Sequence, residues 1–335
     1  MIMIFTRNIW EILYMLKVII CVCLLVLVVL TVSFVIFLQT SGDNSVRYFD
    51  ENNQLVQEKV EHVSLLSFLY KSCIGSIIRP LITRQYLCML AGIYKDSWLS
   101  KHAIKSFIKK HEIIMQDFII PESGYQSFND FFCRKLRSGA RTIDTNKNII
   151  VSPADCKLFI IDNITRDTLF FVKQKPFNLE KFLNSKKLAQ EFEHGTLMIF
   201  RLAPYDYHRF HFPVDCIPSK PTMITGRYES VNPLVYKAGI QPLTHNERHI
   251  ITLQTHNHND IIMIPVGALF VGKIVETYTP EISYNKGDET GYFAFGGSTV
   301  VLLFKQNTIT PIKRFLEHSQ QGLETAVKMG QAITE

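Results

Sequence analysis

The sequence predicts an α+β protein, with an apolar N-terminal helix, a helical N-terminal part and a β-rich domain of mostly antiparallel sheets. Three observations predict it. Val18 to Leu38 is an uncharged apolar run, and about 20 such residues suffice for a helix to cross the hydrocarbon core of a bilayer. From about Val63 to Asp117 the apolar positions recur at helical spacing, with few prolines or glycines. After Asp144 short runs rich in Val, Ile, Phe and Thr alternate with turn residues, without any regular exchange of strand and helix.

The apolar run is read as a transmembrane anchor within residues 1–40. A cleaved signal peptide is the competing reading, but the run exceeds a usual signal core and the QTSGD that follows has no small-x-small cleavage site. Arg7 and Lys17 precede the span and Arg47 follows it. That order favours an N-terminus on the cytoplasmic or matrix side, with the bulk of the chain across a cell membrane or mitochondrial inner membrane. Residues 41–62 are polar and mixed in charge, a linker with an entry strand or turn.

Residues 63–144 form the helical part. Ser100 is the expected N-cap of a helix over SKHAIKSFIKKHEIIM. In that helix Lys101, Lys105 and Lys109 share one face, and Ile104, Phe107 and Ile108 line another. A basic amphipathic helix of this kind can lie on an anionic membrane, although a solvated face over a packed stripe is the commoner meaning. Residues 145–335 form the β-rich domain, with strands expected in LFIID, TLFFV, LMIFRL, HIITLQT, IIMIPVGALFVGKIVETYT and STVVLLF. His249 to Pro265 reads as a hairpin connected by HNHND.

With 335 residues, 47% hydrophobic and 20% charged, the chain can bury a sizeable core, as one large domain or two ordinary ones. The formal net charge of +6 suits anionic lipid headgroups. Nucleic acid is not expected as a partner, because no dense basic patch or recognisable module is present. The seven cysteines are scattered and contain no C-x-x-C pair, so neither a zinc site nor a disulfide framework is indicated.

Three polar groups interrupt otherwise structural sequence. They are Ser152-Pro153-Ala154-Asp155, the stretch Arg201 to Pro213 (RLAPYDYHRFHFP), and Phe295-Gly296-Gly297-Ser298-Thr299 entering an apolar strand. Singly, Asp155 fits a turn, His211 a buried hydrogen-bonded histidine and Ser298 a turn serine. Together they supply the carboxylate, imidazole and hydroxyl that a nucleophile, its base and the group orienting that base require. The two glycines before Ser298 permit a backbone forbidden to other residues and leave the Gly297 carbonyl open to the serine hydroxyl.

On these residues the chain resembles the phosphatidylserine decarboxylase family. RLAPYDYHRFHFP is similar to the family's signature around paired histidines, and FNDFFCRKLRSGARTID (Phe128 to Asp144) to its F-F-x-R-x-L-x-x-G-x-R block. SPAD at 152–155 is similar to SPADG, and Asn246-Glu247-Arg248 to a further motif. KGDETGYFAFGGSTVVLLF (Lys286 to Phe304) resembles the cleavage region, with GGST where others have LGST. The blocks run in order from about Leu65 to Phe304. Cys156 and Cys216 depart from the pattern, standing where glycine is common.

The resemblance implies a proenzyme that cuts itself between Gly297 and Ser298. His211 would activate Ser298, Asp155 would fix the histidine tautomer, and Ser298 would become a pyruvoyl cofactor. His208 would assist decarboxylation or substrate positioning. The pyruvoyl group would form a Schiff base with phosphatidylserine and take up the electrons released as carbon dioxide leaves. The cleaved β and α chains would stay associated, in a homodimer at the membrane. Family members acting on another amino acid or amino-phospholipid, and a membrane serine hydrolase using the same triad without self-cleavage, are the rival readings. Metal is not expected: His208-x-x-His211 and His256-x-His258 lack further ligands at convincing spacing. Gly267-x-x-x-x-Gly272-Lys273 mimics a phosphate loop but has Ile274 where Ser or Thr must hold magnesium. Asn163-Ile164-Thr165 is a glycosylation sequon, which matters only in a secretory lumen.

Overall fold

A long helix, α1 (Ile2–Thr40), opens the chain. Its stretch Tyr14–Val35 spans 22 residues and is long and apolar enough to cross a membrane. The computed structural model describes residues 2–40, 45–60, 63–165, 168, 177–269, 273–294, 296 and 298–335. Gly297, Phe295, Gly272 and most of the TLFFV run lie outside the described residues.

The chain divides into two compact units, residues 1–44 with 62–80 and residues 45–61 with 81–335. In the first, α2 (Val63–Lys71) and α3 (Cys73–Ile82) meet at a bend of 103°. Ser72 makes the bend: its hydroxyl donates to Phe68 O at 2.7 Å and accepts Gly75 N–H at 2.9 Å. Gly75 is required because a Cβ there would lie 2.0 Å from Phe68 O.

The second unit continues with α4 (Gln85–Asp96), a 3₁₀ turn over Trp98–His102, α5 (Ala103–His111) and α6 (Phe128–Phe132). Ile104 is buried with Phe128, Phe131 and Phe132, and Phe107 and Ile108 pack against them. This is the apolar stripe that the spacing predicts. Ser100, however, does not cap α5. The 3₁₀ turn comes first, and the Ser100 hydroxyl accepts Phe128 N–H at 2.8 Å instead, tying the turn to α6.

Among the described residues ten strands form the main sheet. In chain order the first strands are β1 (Arg47–Phe49), β2 (Leu55–Gln57), the short pair β3 (Phe118–Ile119) and β4 (Lys135–Leu136), β5 (Cys156–Ile161) and β6 (Thr196–Leu202). There follow β7 (Arg209–His211), β8 (Cys216–Pro218), β9 (Thr222–Ile224), β10 (Arg248–Thr255) and β11 (Ile261–Gly267). The last are β12 (Ile274–Glu276), β13 (Glu289–Phe293), β14 (Ser298–Phe304) and β15 (Glu324–Val327). The main sheet runs β2-β1-β15-β5-β6-β14-β11-β10-β8, with β9 also on β10. A second sheet runs β12-β13-β7, and β3 pairs with β4. The β10–β11 hairpin is the one the sequence predicts. Among the described strand pairs only β1 with β15 is parallel, and the segment read as a linker with an entry strand or turn supplies β1 and β2.

Every residue of β6, β11 and β14 is buried. Along β14 Val300, Leu302 and Phe304 enter one core with Phe200, Phe210 and Phe293. Val301 and Leu303 enter the other, with Phe182 and Phe192. Burial on both faces is why these strands read as continuous apolar runs instead of alternating ones.

Candidate active site

Ser298 is the first residue of β14, held in register between Leu202 of β6 and Gly267 of β11. Its side chain falls on the same face as Val300 and Leu302, and the residue is fully buried. Gly296, two residues earlier, has φ 138°, a value that excludes a side chain without strain. Glycine there lets the chain bend sharply into the strand.

The turn over residues 203–208 leaves the end of β6 and enters β7. Here the paired histidines separate. Residues 208 and 211 differ by an odd number along nearly extended chain, so they project to opposite faces. His208 shares its face with Phe210, both with no exposed surface, and stacks on Phe132 with ring centroids 3.8 Å apart. His211 shares the other face with Tyr207, whose ring stacks on it.

The histidine on Ser298 is therefore His208. Its Nδ1 lies 2.9 Å from Ser298 Oγ and its Nε2 lies 2.9 Å from Ala203 O. A carbonyl only accepts, so Nε2 carries the proton. Burial, reinforced by the charge of Arg134, pushes His208 well below its ordinary pKa and keeps the ring neutral. Nδ1 then offers its lone pair to the Ser298 hydroxyl, which donates. That is the geometry of a nucleophile with its general base.

His211 has other partners. Its Nδ1–H donates to Gly287 O at 2.9 Å, and Tyr207 O–H donates to its Nε2 at 3.0 Å. Burial lowers its pKa as well. Asp155 does not bond either imidazole. Arg141 Nε and Nη2 donate to its carboxylate at 2.6 to 3.2 Å, and Met329 N–H donates at 2.9 Å. Asp155 also faces a cavity of about 230 Å³ lined with Arg134, Arg141, Lys157 and Lys328. Of the residues expected to form one triad, the structure joins His208 to Ser298 and sets His211 and Asp155 beside them in separate hydrogen-bond pairs.

Sequence reasoning assigned no role to four charged groups here. Arg134 Nη2 donates to the carbonyls of Tyr205 and Asp206 at 3.0 and 3.1 Å, clamping the turn that carries His208. Arg141 holds Asp155, and Lys157 pairs with Asp206 at 2.7 Å. A signal existed for the first two, because Arg134 and Arg141 are the arginines of the F-F-x-R block. Cys133 and Cys216 are no rival nucleophiles, since burial pushes both thiols up to about 12. Among the described residues no group of three or more His, Cys, Asp or Glu is placed to hold a metal ion.

A buried serine hydroxyl against a neutral imidazole, at the start of a central strand, is the arrangement that a serine nucleophile requires. The comparisons with known proteins say which family carries it here. The family model described as "Phosphatidylserine decarboxylase" matches residues 128–335. A Fusobacterium nucleatum protein called "Phosphatidylserine decarboxylase proenzyme" is 43% identical over 282 residues, covering 84% of this chain and 94% of that protein. Proteins of the same name from Clostridium tetani and Chlamydia caviae are each 41% identical. The first match covers 82% of this chain and 93% of its relative, the second 86% and 97%. The chain belongs to the phosphatidylserine decarboxylase family.

Proposed function

We propose that this chain is a membrane-anchored proenzyme that cuts itself between Gly297 and Ser298 and, once cut, decarboxylates phosphatidylserine to phosphatidylethanolamine. The observation that carries the reading is the contact between fully buried Ser298 Oγ and the lone pair of His208 Nδ1. Ser298 Oγ adds to the Gly297 carbonyl carbon as His208 takes the hydroxyl proton. The C–N bond then breaks, the proton passes to the Ser298 amine, and an ester replaces the peptide. Loss of the Ser298 α-proton expels the Gly297 carboxylate with chain 1–297 and leaves dehydroalanine. Water displaces its nitrogen as ammonia, leaving a pyruvoyl group at the head of residues 298–335.

The pyruvoyl group supplies a carbonyl for the substrate amine and a sink for the electrons released with carbon dioxide. The site suits it: position 298 is dry, backed by strand on both sides, and faces a neutral imidazole that can hold or return a proton at Nδ1. Residues 298–335 stay with the longer chain because β14 is hydrogen-bonded between β6 and β11. A homodimer at the membrane, which the family resemblance implies, is part of the same reading, and light scattering of the detergent-solubilised protein measures it.

Two observations favour the alternative in which Asp155 and His211 form the base. His211 N–H donates to Pro153 O at 2.8 Å, which brings the SPAD segment beside β7. The negative charge of Asp155 also acts on the His211 ring, against the larger effect of burial.

Intact-mass analysis of the purified protein should find two chains, residues 1–297 and 298–335, the second blocked at its N-terminus as pyruvoyl. A single uncut chain, or a free serine amine at position 298, removes the proposal. Deleting residues 1–40 should release most of the protein from bilayers while leaving self-cleavage intact, because the serine and both histidines belong to the β-rich unit. Residual binding through Lys101, Lys105 and Lys109 should weaken with salt. Loss of cleavage in the truncated protein would show that the anchor is not separable.

A further inference from the structure

Ser298 and His208 have no exposed surface. A lipid headgroup reaches position 298 only if part of the cover moves. Two sides of the site are sheet: Ser298 lies between β6 and β11, and Phe210 and Phe293 of the second sheet pack on the same core face. Parting strands breaks a ladder of backbone hydrogen bonds. The third side is helical. Phe132, the last residue of α6, stacks on the His208 ring, and the thiol of Cys133 donates to Phe293 O at 3.4 Å. Helices pack on their neighbours through side chains, so α6 is the side that gives way most readily.

α6 is five residues long and packs on α4, the 3₁₀ turn and α5. Phe128 N–H donates to Ser100 Oγ of the 3₁₀ turn at 2.8 Å, and Asn129 Nδ2 donates to Asp96 Oδ1 at the end of α4 at 2.6 Å. Lys95 Nζ lies 4.2 Å from the centre of the Phe128 ring. A shift of α4 and the turn therefore passes to α6. That segment turns apolar surface outwards. Tyr86, Met89, Leu90 and Ile93 recur at helical spacing on α4 and are each more than half exposed, as is Trp98. Lys101, Lys105 and Lys109, all exposed, follow it. Aliphatic side chains with Trp and Tyr, rimmed by lysines, match the boundary of an anionic bilayer.

We propose that α6 is a lid over position 298, opened when the exposed face of α4 enters an anionic bilayer surface. The inference rests on the reading of Ser298 as the source of the pyruvoyl group, whichever histidine takes its proton. The pivot is Cys133, whose carbonyl accepts Arg209 Nε–H of β7 at 2.9 Å. Closed, the lid keeps water from the reactive ketone; open, it admits the headgroup of a lipid in the same bilayer.

Hydroxylamine tests the lid. Its nitrogen adds to the pyruvoyl ketone and water leaves, giving an oxime that intact mass reads on residues 298–335. The cleaved full chain is reconstituted in phosphatidylcholine vesicles with or without phosphatidylglycerol, an anionic lipid that has no amine. Phosphatidylglycerol should speed oxime formation about tenfold or more, since a minor open state commonly holds about 0.1–10% of the population. Asn129→Ala and Phe132→Leu, which loosen α6, should react several fold faster than the wild type in phosphatidylcholine alone. The double variant Leu90→Ser, Ile93→Ser should stay slow in both vesicles. Equal wild-type rates in the two vesicles, or full acceleration in the double variant, overturns the proposal. So does a wild-type rate for Asn129→Ala in phosphatidylcholine, and that variant decides if Phe132→Leu does not fold or cleave. An uncut chain forms no oxime in any vesicle; its mass tells that failure from a closed lid, and it removes the reading of Ser298 and this inference with it.

Discussion

His208→Ala is expected to leave mainly uncut precursor, with self-cleavage slowed by about 10²–10⁴-fold, the usual cost of losing a positioned general base. The expectation follows from geometry. Among the described residues Ser298 Oγ has one imidazole within hydrogen-bond distance, at 2.9 Å, and that imidazole is His208. A serine hydroxyl is too weak an acid to react at useful rates without a base. His211→Ala should cut more slowly than the wild type but faster than His208→Ala, since His211 holds Tyr207 and Gly287 O and does not touch Ser298. Ser298→Ala should abolish both cleavage and decarboxylation. Cleavage scored on a gel, with carbon dioxide release from labelled phosphatidylserine, separates the variants. A blocked His211→Ala beside a normally cut His208→Ala would transfer the base to His211 and make Asp155 its partner.

Arg141→Ala is expected to destabilise the protein by about 3–5 kcal/mol at neutral pH, the scale for leaving a buried charge without its partner. Asp155 is the buried group left behind, while Asp117, which Arg141 also pairs at 2.8 Å, is about one-third exposed and can be solvated. Burial is the largest influence on its carboxyl and acts to raise its pKa. Bonds from Arg141, the charge of Lys328 and the Met329 N–H together outweigh it, so the pKa is held below its ordinary value. A depressed carboxyl stabilises the fold above the unfolded pKa of about 3.9, and that contribution is lost as pH falls through the folded value. Without Arg141 only the Lys328 charge and the Met329 N–H oppose burial, and the sign is expected to reverse. Burial then raises the Asp155 pKa, so stability is greatest where the carboxyl is protonated and is lost as pH rises through the raised value. Urea unfolding of the variant in detergent should therefore give a higher midpoint at pH 5 than at pH 7, relative to the wild type. An equal loss at both pH values would show that Asp155 is not the source of the destabilisation.

Much of this protein is legible without its structure. The uncharged run ending near Leu38 predicts the long helix because membrane-spanning length follows from composition alone. The stripe Ile104, Phe107 and Ile108 predicts the packed face of α5, and STVVLLF predicts a strand because both of its faces are buried. Residue type singled out Asp155, His211 and Ser298 as polar residues that interrupt structural sequence, and the family resemblance added His208.

Pairing among those residues was not legible, although one part of it was within reach. Treated as extended chain, RLAPYDYHRFHFP sets His208 and His211 on opposite faces, so one serine cannot meet both. The partners of Asp155 were out of reach, because Arg141 and Met329 stand 14 and 174 residues away along the chain. Nor does any local pattern join Glu58 to Arg201 across 143 residues. Helices, strands and the candidate nucleophile follow from periodicity and residue type, which are local properties. Which imidazole lies against the Ser298 hydroxyl, and which charges hold its turn, were decided by strand register and burial. Those exist only once distant segments have packed together.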